Sequence, residues 1–153
     1  MKRTLILCLL LTLCSCQDNN LLIGGWSKHS GTSGLNENQR LMGWEGTNKW
    51  GKWRRGGTFS HFKNSFRKES NYMGAVIKRC TNDKADYCIG LTAGAATGYK
   101  EAYGSEVVPF GGIMGDAKIW RDFGVYGLVI PYTPEGVVGL VGFKYKFNTG
   151  DKK

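Results

Sequence analysis

Between Tyr87 and Tyr99 two kinds of residue alternate with a period of two over thirteen positions. One set is Tyr87, Ile89, Leu91, Ala93, Ala95, Thr97 and Tyr99, and the other is Cys88, Gly90, Thr92, Gly94, Ala96 and Gly98. Successive side chains of an extended strand point to opposite faces, so this period specifies a strand with one apolar face. A soluble sheet would set polar residues against that face, whereas here the opposite face is merely small. An apolar band with a tyrosine at each end is the pattern of a strand crossing a bilayer, because Tyr settles at the two lipid–water interfaces. The small face would leave free volume inside a barrel; alternatively, its glycines mark close packing within the sheet.

The rest of the chain follows the same period. Val137, Gly139, Val141, Phe143, Tyr145 and Phe147 alternate with Val138, Leu140, Gly142, Lys144 and Lys146. Tyr126, Leu128, Ile130 and Tyr132 alternate with Val125, Gly127, Val129 and Pro131, and Pro134-Glu135-Gly136 supplies a turn. Further strands are expected near Val107–Ile119, Asn71–Cys80, Gly51–Phe66, Leu35–Gly46 and Leu21–Ser30. The total is eight, the smallest number found in outer-membrane barrels. With 153 residues, 23 of them glycine, 12% aromatic and 22% charged, the chain suits one domain and is too apolar for disorder. The fold class is therefore all-β, an eight-stranded antiparallel up-and-down barrel of the outer-membrane type.

The N-terminus reads as an export address. Lys2 and Arg3 precede the apolar run Thr4–Leu13, which is too short to span a bilayer as a helix. Leu13-Cys14-Ser15-Cys16 resembles the bacterial lipobox, which implies a signal peptide over residues 1–15, cleavage before Cys16 and lipid on its thiol and amino group. Ordinary cleavage after Ser15 is the alternative. Gln17 lacks the Asp that favours inner-membrane retention, so the expected location is the outer membrane, with a lipid-anchored spacer at 16–20, a barrel at 21–147 and a polar tail at 148–153.

Cys80 and Cys88 then remain as one pair, which in an oxidising compartment reads as a disulfide across a hairpin end. These two thiols, His29 and His61 fall short of a convincing zinc set, and neither metal nor cofactor is expected. With Cys16 on the periplasmic side, the first strand runs outward and brings His29 to the outer rim. The third strand runs outward again and brings Asn64 and Ser65 to the same rim.

His29, the segment Phe62-Lys63-Asn64-Ser65-Phe66 and Ile130-Pro131-Tyr132 resemble the outer-membrane lipid A palmitoyltransferase family (PagP). The resemblance spans Trp26 to Phe147 as sparse motifs. It implies an eight-stranded barrel that moves a palmitoyl chain from a phospholipid to lipid A. By position, His29 and Ser65 match the family's functional His and Ser, while Asn64 stands where the family has Asp and cannot ionise. Pro109 and Pro131 match prolines that interrupt strand pairing where the family admits lipid laterally. The family's N-terminal amphipathic helix is absent.

Acyl transfer needs an acceptor hydroxyl activated by a base, and donors for the developing oxyanion. A neutral His29 supplies the base, and Ser65 and Asn64 supply hydrogen bonds or position lipid. The small face Gly90, Thr92, Gly94, Ala96 and Gly98 would line an acyl chain in the bore. His61 shares a strand face with Ser65 but lies too far along the strand to be its partner. The net charge of +9 does not point to nucleic acid in an exported chain. Lys49, Lys52, Arg54 and Arg55, interleaved with Trp50 and Trp53, are expected to meet lipid headgroups, and Lys63, Arg67 and Lys68 the phosphates of lipopolysaccharide. Three functions emerge from the sequence: an outer-membrane acyltransferase or lipase acting as a monomer on phospholipid and lipid A; a non-catalytic lipoprotein barrel with a blocking or structural role; and a soluble barrel binding an apolar ligand.

Overall fold

The computed structural model describes residues 16–31, 33–82, 84–133 and 136–147. The strands are β1 (Asp18–His29), β2 (Asn38–Trp50), β3 (Trp53–Lys63), β4 (Glu69–Cys80), β5 (Tyr87–Thr97), β6 (Val107–Trp120), β7 (Phe123–Thr133) and β8 (Gly136–Phe147), with one short helix, α1 (Lys100–Tyr103), between β5 and β6. They pair in chain order, all antiparallel, and β8 closes on β1 from Asn19↔Phe147 to His29↔Val138. Closure leaves the barrel with no edge strand, which a bilayer requires because lipid cannot satisfy an open ladder.

Alternation runs inside out relative to a soluble sheet. On β5, Tyr87, Ile89, Leu91 and Ala93 face outward while Cys88, Thr92 and Ala96 are buried. On β4, Met73, Ala75 and Ile77 face outward between Asn71 and Arg79. Those eight steps cover roughly 26 Å of strand at about 3.3 Å each, close to the apolar height of a membrane barrel once tilt is allowed for. Trp50, Trp53, Tyr87, Trp120 and Phe123 stand exposed at the strand ends on the side where β1 begins and β8 terminates, forming an aromatic girdle. Hereafter this end is the terminal rim and the opposite end the loop rim.

Several boundaries differ from the sequence reading. β1 begins at Asp18, so the expected 16–20 spacer shrinks to Cys16 and Gln17. β2 and β3 meet across a two-residue turn, Trp50↔Trp53, with Gly51 at φ +57°, which displaces both strands from their expected limits. β3 stops at Lys63, because Asn64 starts a loop. β5 stops at Thr97; Gly98 (φ +84°) turns the chain, and Tyr99 swings into the barrel, only 6% exposed, instead of facing lipid. The expected signal peptide (1–15), Pro134, Glu135 and the polar tail (148–153) lie outside the described residues.

The lumen has two halves. Toward the loop rim it is apolar and aromatic, built from Leu22, Leu41, Phe62, Tyr72, Tyr99, Val108 and Tyr126. Below this, Lys78 spans the bore and pairs with Glu45 (2.7 Å) and Asp116 (2.6 Å), and Lys144 closes on Asp116 (3.1 Å). Asn20 donates to Glu45 (3.2 Å). The Cys80–Cys88 disulfide joins β4 to β5 below, its two residues directly opposite and both buried.

Lys78→Met removes the shared cation of two buried carboxylates, leaving them Lys144 and Asn20, and should cost about 3–5 kcal/mol, whereas Glu45→Gln, Lys78→Met and Asp116→Asn together should cost far less; urea titration of the folded barrel measures both. The purified protein should offer neither Cys80 nor Cys88 to alkylation before reduction. Reduction should lower stability by about 2–3 kcal/mol, given the short loop closed.

Candidate functional site

The site at the loop rim depends on a change of phase in β1. Gly24 and Gly25 adopt φ +81° and +138°, and between Ile23 and Trp26 the strand carries one residue more than β8. Glycine tolerates these backbone angles, and the extra residue makes a bulge. Before it Ile23 faces out; after it Trp26 and Lys28 face out and Ser27 and His29 face in. An uninterrupted strand would have turned His29 to the membrane.

Inside, His29 Nε2 lies 2.7 Å from Ser65 Oγ. Both side chains are buried, and thirty-six positions separate them in sequence. Ser65 is held by the neighbouring loop: the Asn36 backbone N–H donates to Ser65 O (2.8 Å), and Asn36 Nδ2 donates to Lys63 O (3.2 Å) and Asn64 O (3.1 Å). Asn36 thus ties the β1–β2 loop to the β3–β4 loop across the site. No signal in the sequence singles it out beyond its being a turn-forming residue. Histidine Nδ1 is buried with no hydrogen-bond partner among the described residues.

Asn64 does not join this pair. Its Oδ1 accepts from the backbone N–H of Phe66 (2.9 Å) and Lys68 (3.0 Å), and its Nδ2 donates to Ser70 Oγ (2.9 Å) and Gly98 O (2.8 Å). The side chain is fully buried and saturated, so it organises the turn and pins it to the end of β5. Both polar atoms of Asn64 are thus engaged away from the His29–Ser65 pair. His61 points outward to Glu69 (3.0 Å) and Asn71 (3.0 Å), so it shares no face with Ser65.

Below Ser65 opens a narrow chamber with about 90 Å³ open to the centre of a water-sized sphere. Leu41, Phe62, Val76, Phe110, Ile130 and Leu140 are among its walls, Tyr99 and Tyr103 lie over it, and Glu45 and Asp116 form its floor. That space equals roughly six to nine water positions, in a lining that water would wet poorly. Of the small face, Thr92 lines the chamber and hydrogen-bonds Tyr72 OH (2.7 Å). Gly90 and Gly94 instead abut the β4 backbone, where a Cβ would collide with the carbonyls of Ile77 and Met73, and Gly98 abuts Glu69 O. Ala96 is fully buried. These glycines serve close strand approach, the second of the two sequence readings.

Pairing between β6 and β7 ends at Ile113↔Val129, although β6 stays paired with β5 up to Val107 and β7 with β8, through a register shift after Ile130, up to Thr133↔Gly136. Above that point the wall is unzipped on one seam, with Pro109 on one side and Pro131 on the other. Proline brings no N–H that would be left bare there. At the opposite end, Cys16 Sγ lies against Trp44 and Gly46 on the outward face of β2. Arg54, expected at lipid headgroups, is buried in the lumen on Asp18 (3.0 Å), whereas Arg55 faces out and stacks on Trp50 at 4.8 Å.

No protein-family model and no curated protein sequence matches the chain. Among solved structures, the chain is similar to the Yersinia pestis outer membrane protein Ail in a phospholipid bilayer nanodisc. That match has TM-score 0.49 and 12% identity, covering 86% of this chain and 99% of the other. A crystal structure of Ail, the attachment invasion locus protein of Yersinia pestis, matches at TM-score 0.42 and 14% identity, covering 85% and 96%. At such values the closed eight-stranded barrel stands on this chain's own strand pairing.

Replacing Asn64 by Asp removes two donors and sets a carboxylate against Gly98 O. Asn64→Asp should therefore destabilise the barrel by about 1–3 kcal/mol, read as a lower urea midpoint.

Proposed function

We propose that the chain is a bacterial outer-membrane barrel that takes one acyl chain of a membrane lipid into its lumen and transfers or releases it at His29 and Ser65. The observation that carries this reading is the 2.7 Å His29–Ser65 contact at the mouth of an apolar chamber. A hydroxyl within hydrogen-bond reach of a histidine nitrogen is the minimal pair for moving an acyl group. The gap above Ile113↔Val129 gives a chain in the membrane a lateral way in, beside Phe110 and Ile130 of the chamber wall. The resemblance of His29, Ser65, Pro109 and Pro131 to the lipid A palmitoyltransferases points the same way.

In this reading His29 Nε2 takes the proton of the attacking hydroxyl as its oxygen bonds the acyl carbonyl carbon; the ester C–O bond to the phospholipid breaks, and the leaving lysophospholipid oxygen takes that proton back from His29. The attacking hydroxyl is an acceptor hydroxyl of lipid A or water that displaces Ser65 from Nε2, or Ser65 itself, whose acyl ester is then passed to such an acceptor by the same proton exchange. Ser65→Ala separates the two routes, since only the first survives it. The lipid anchor fits the same placement: Cys16 Sγ sits on the outward wall near the aromatic girdle, where an attached acyl chain would enter the inner leaflet.

A second reading, a non-catalytic barrel with a structural or blocking role, is favoured by one observation. Among the described residues no carboxylate orients His29 Nδ1, the side chain of Asn64 being committed to its turn. The deciding experiment incubates the purified barrel in detergent with phospholipid carrying a labelled acyl chain, with and without lipid A. Release or transfer should occur and disappear in His29→Ala, with the barrel still folded by its gel mobility before and after boiling. No turnover by the unaltered protein would leave the second reading standing. In cells, labelled palmitate should enter the protein and be lost on Cys16→Ala.

A further inference from the structure

The end of the lumen away from His29 carries a second cavity, independent of the acyl reading. It is a vestibule at the terminal rim, with about 230 Å³ open to the centre of a water-sized sphere, more than twice the space of the chamber above. The ion cluster of Glu45, Lys78 and Asp116 separates the two.

Charge in the vestibule is layered. In its deep layer Arg54, Lys78 and Lys144 meet Asp18, Glu45 and Asp116, three cations against three carboxylates at 2.6 to 3.8 Å. The balance fails at the mouth. There Lys84, Lys118, Arg121 and Lys146 line the opening, and among the described lining residues Asp122 is the one carboxylate added to the deep layer. Lys146 shares Asp18 with Arg54 (2.6 Å and 3.0 Å), and Lys118 reaches Asp86 only at 3.9 Å. Arg121 stacks its guanidinium on Trp120 at 4.8 Å, which holds the group at the mouth while leaving its N–H edge for a ligand.

The loop rim, where the sequence reading placed the anionic partner, is the more neutral end. Lys28 pairs with Glu37 (2.9 Å), Lys68 with Glu101 (3.1 Å) and Lys100 with Glu106 (2.8 Å). The uncompensated positive charge is therefore concave and on the opposite side from the loop rim.

We infer that this vestibule is a binding site for a phosphate-bearing anion. A concave set of ammonium groups with one oriented guanidinium suits a compact phosphate oxyanion, whose oxygens the cations contact through charge-assisted hydrogen bonds. The phosphate is carried either by a free diphosphate or by the headgroup of an anionic phospholipid in the adjoining leaflet.

The full barrel in neutral detergent is titrated calorimetrically with inorganic diphosphate, and with sodium chloride at matched ionic strength. Saturable heat with diphosphate and none with chloride is expected. Lys118→Gln and Arg121→Gln should each weaken binding about tenfold, in line with loss of one charged hydrogen bond, while Lys100→Gln at the other rim should leave it unchanged. In a second arm, nanodiscs are assembled from mixed phosphatidylglycerol and phosphatidylethanolamine, and the lipid retained by the purified barrel is weighed by mass spectrometry. Enrichment of phosphatidylglycerol that is lost in the same two variants assigns the phosphate to a headgroup; saturable heat without enrichment assigns it to a free anion. Responses that follow ionic strength alone, or that persist unchanged in both variants, overturn the site. If a variant does not fold, the contrast between diphosphate and chloride on the unaltered protein decides.

Discussion

Everything in the lumen is arranged around one buried ammonium. Lys78 reaches into the bore from β4 and holds Glu45 of β2 and Asp116 of β6, with Lys144 of β8 closing the set. Four alternate strands are thereby cross-linked through the interior by charge, where a soluble barrel would use interdigitated apolar side chains. A charge so far from water persists only when its partners are fixed, so the cluster demands a specific register from each of these strands. It also sets the plan of the interior, an apolar chamber on one side and a polar vestibule on the other.

Much of this was legible in the sequence. The inside-out alternation of β5, and of β8 with its lysines opposite the apolar set, is a periodic signal strong enough to give the number of strands and which face meets lipid. The cysteine pair reads correctly from compartment and spacing. Two members of the ion cluster carry the same signal: Lys78 shares phase with Val76 and Cys80, and Asp116 with Met114, which marks both as inward. What alternation cannot supply is which charges on different strands meet, because that is fixed by the stagger of eight pairings at once.

The candidate site is less legible for a different reason. His29 and Ser65 were found through a family resemblance, and the structure brings them within hydrogen-bonding distance. A chemical part for Asn64 rests on the resemblance alone, since the lipid A palmitoyltransferases have an acid at that position. Its real neighbours, two backbone N–H groups, a serine hydroxyl and a carbonyl, come from the turn and from β5. Local sequence shows an Asn after a strand, and nothing local tells a turn organiser from a ligand. Asn36, which fixes Ser65 from another loop, is invisible for the same reason. Likewise, the glycines of β5 look like an open lining in one dimension and turn out to be places where two backbones touch.

In a barrel wall the choice between lumen and membrane is read two residues at a time, like a code with a frame. Gly24 and Gly25 act as a frameshift: upstream of them β1 is written in one frame, downstream in the other. The chemistry of the loop rim thus depends on two residues that have no side chain and lie several positions from it. A relative lacking that extra residue would present the same histidine to hydrocarbon, and its sequence would still align letter for letter around it. Identity of residues near such a bulge is therefore a poor guide to shared activity unless the spacing through the bulge is kept as well.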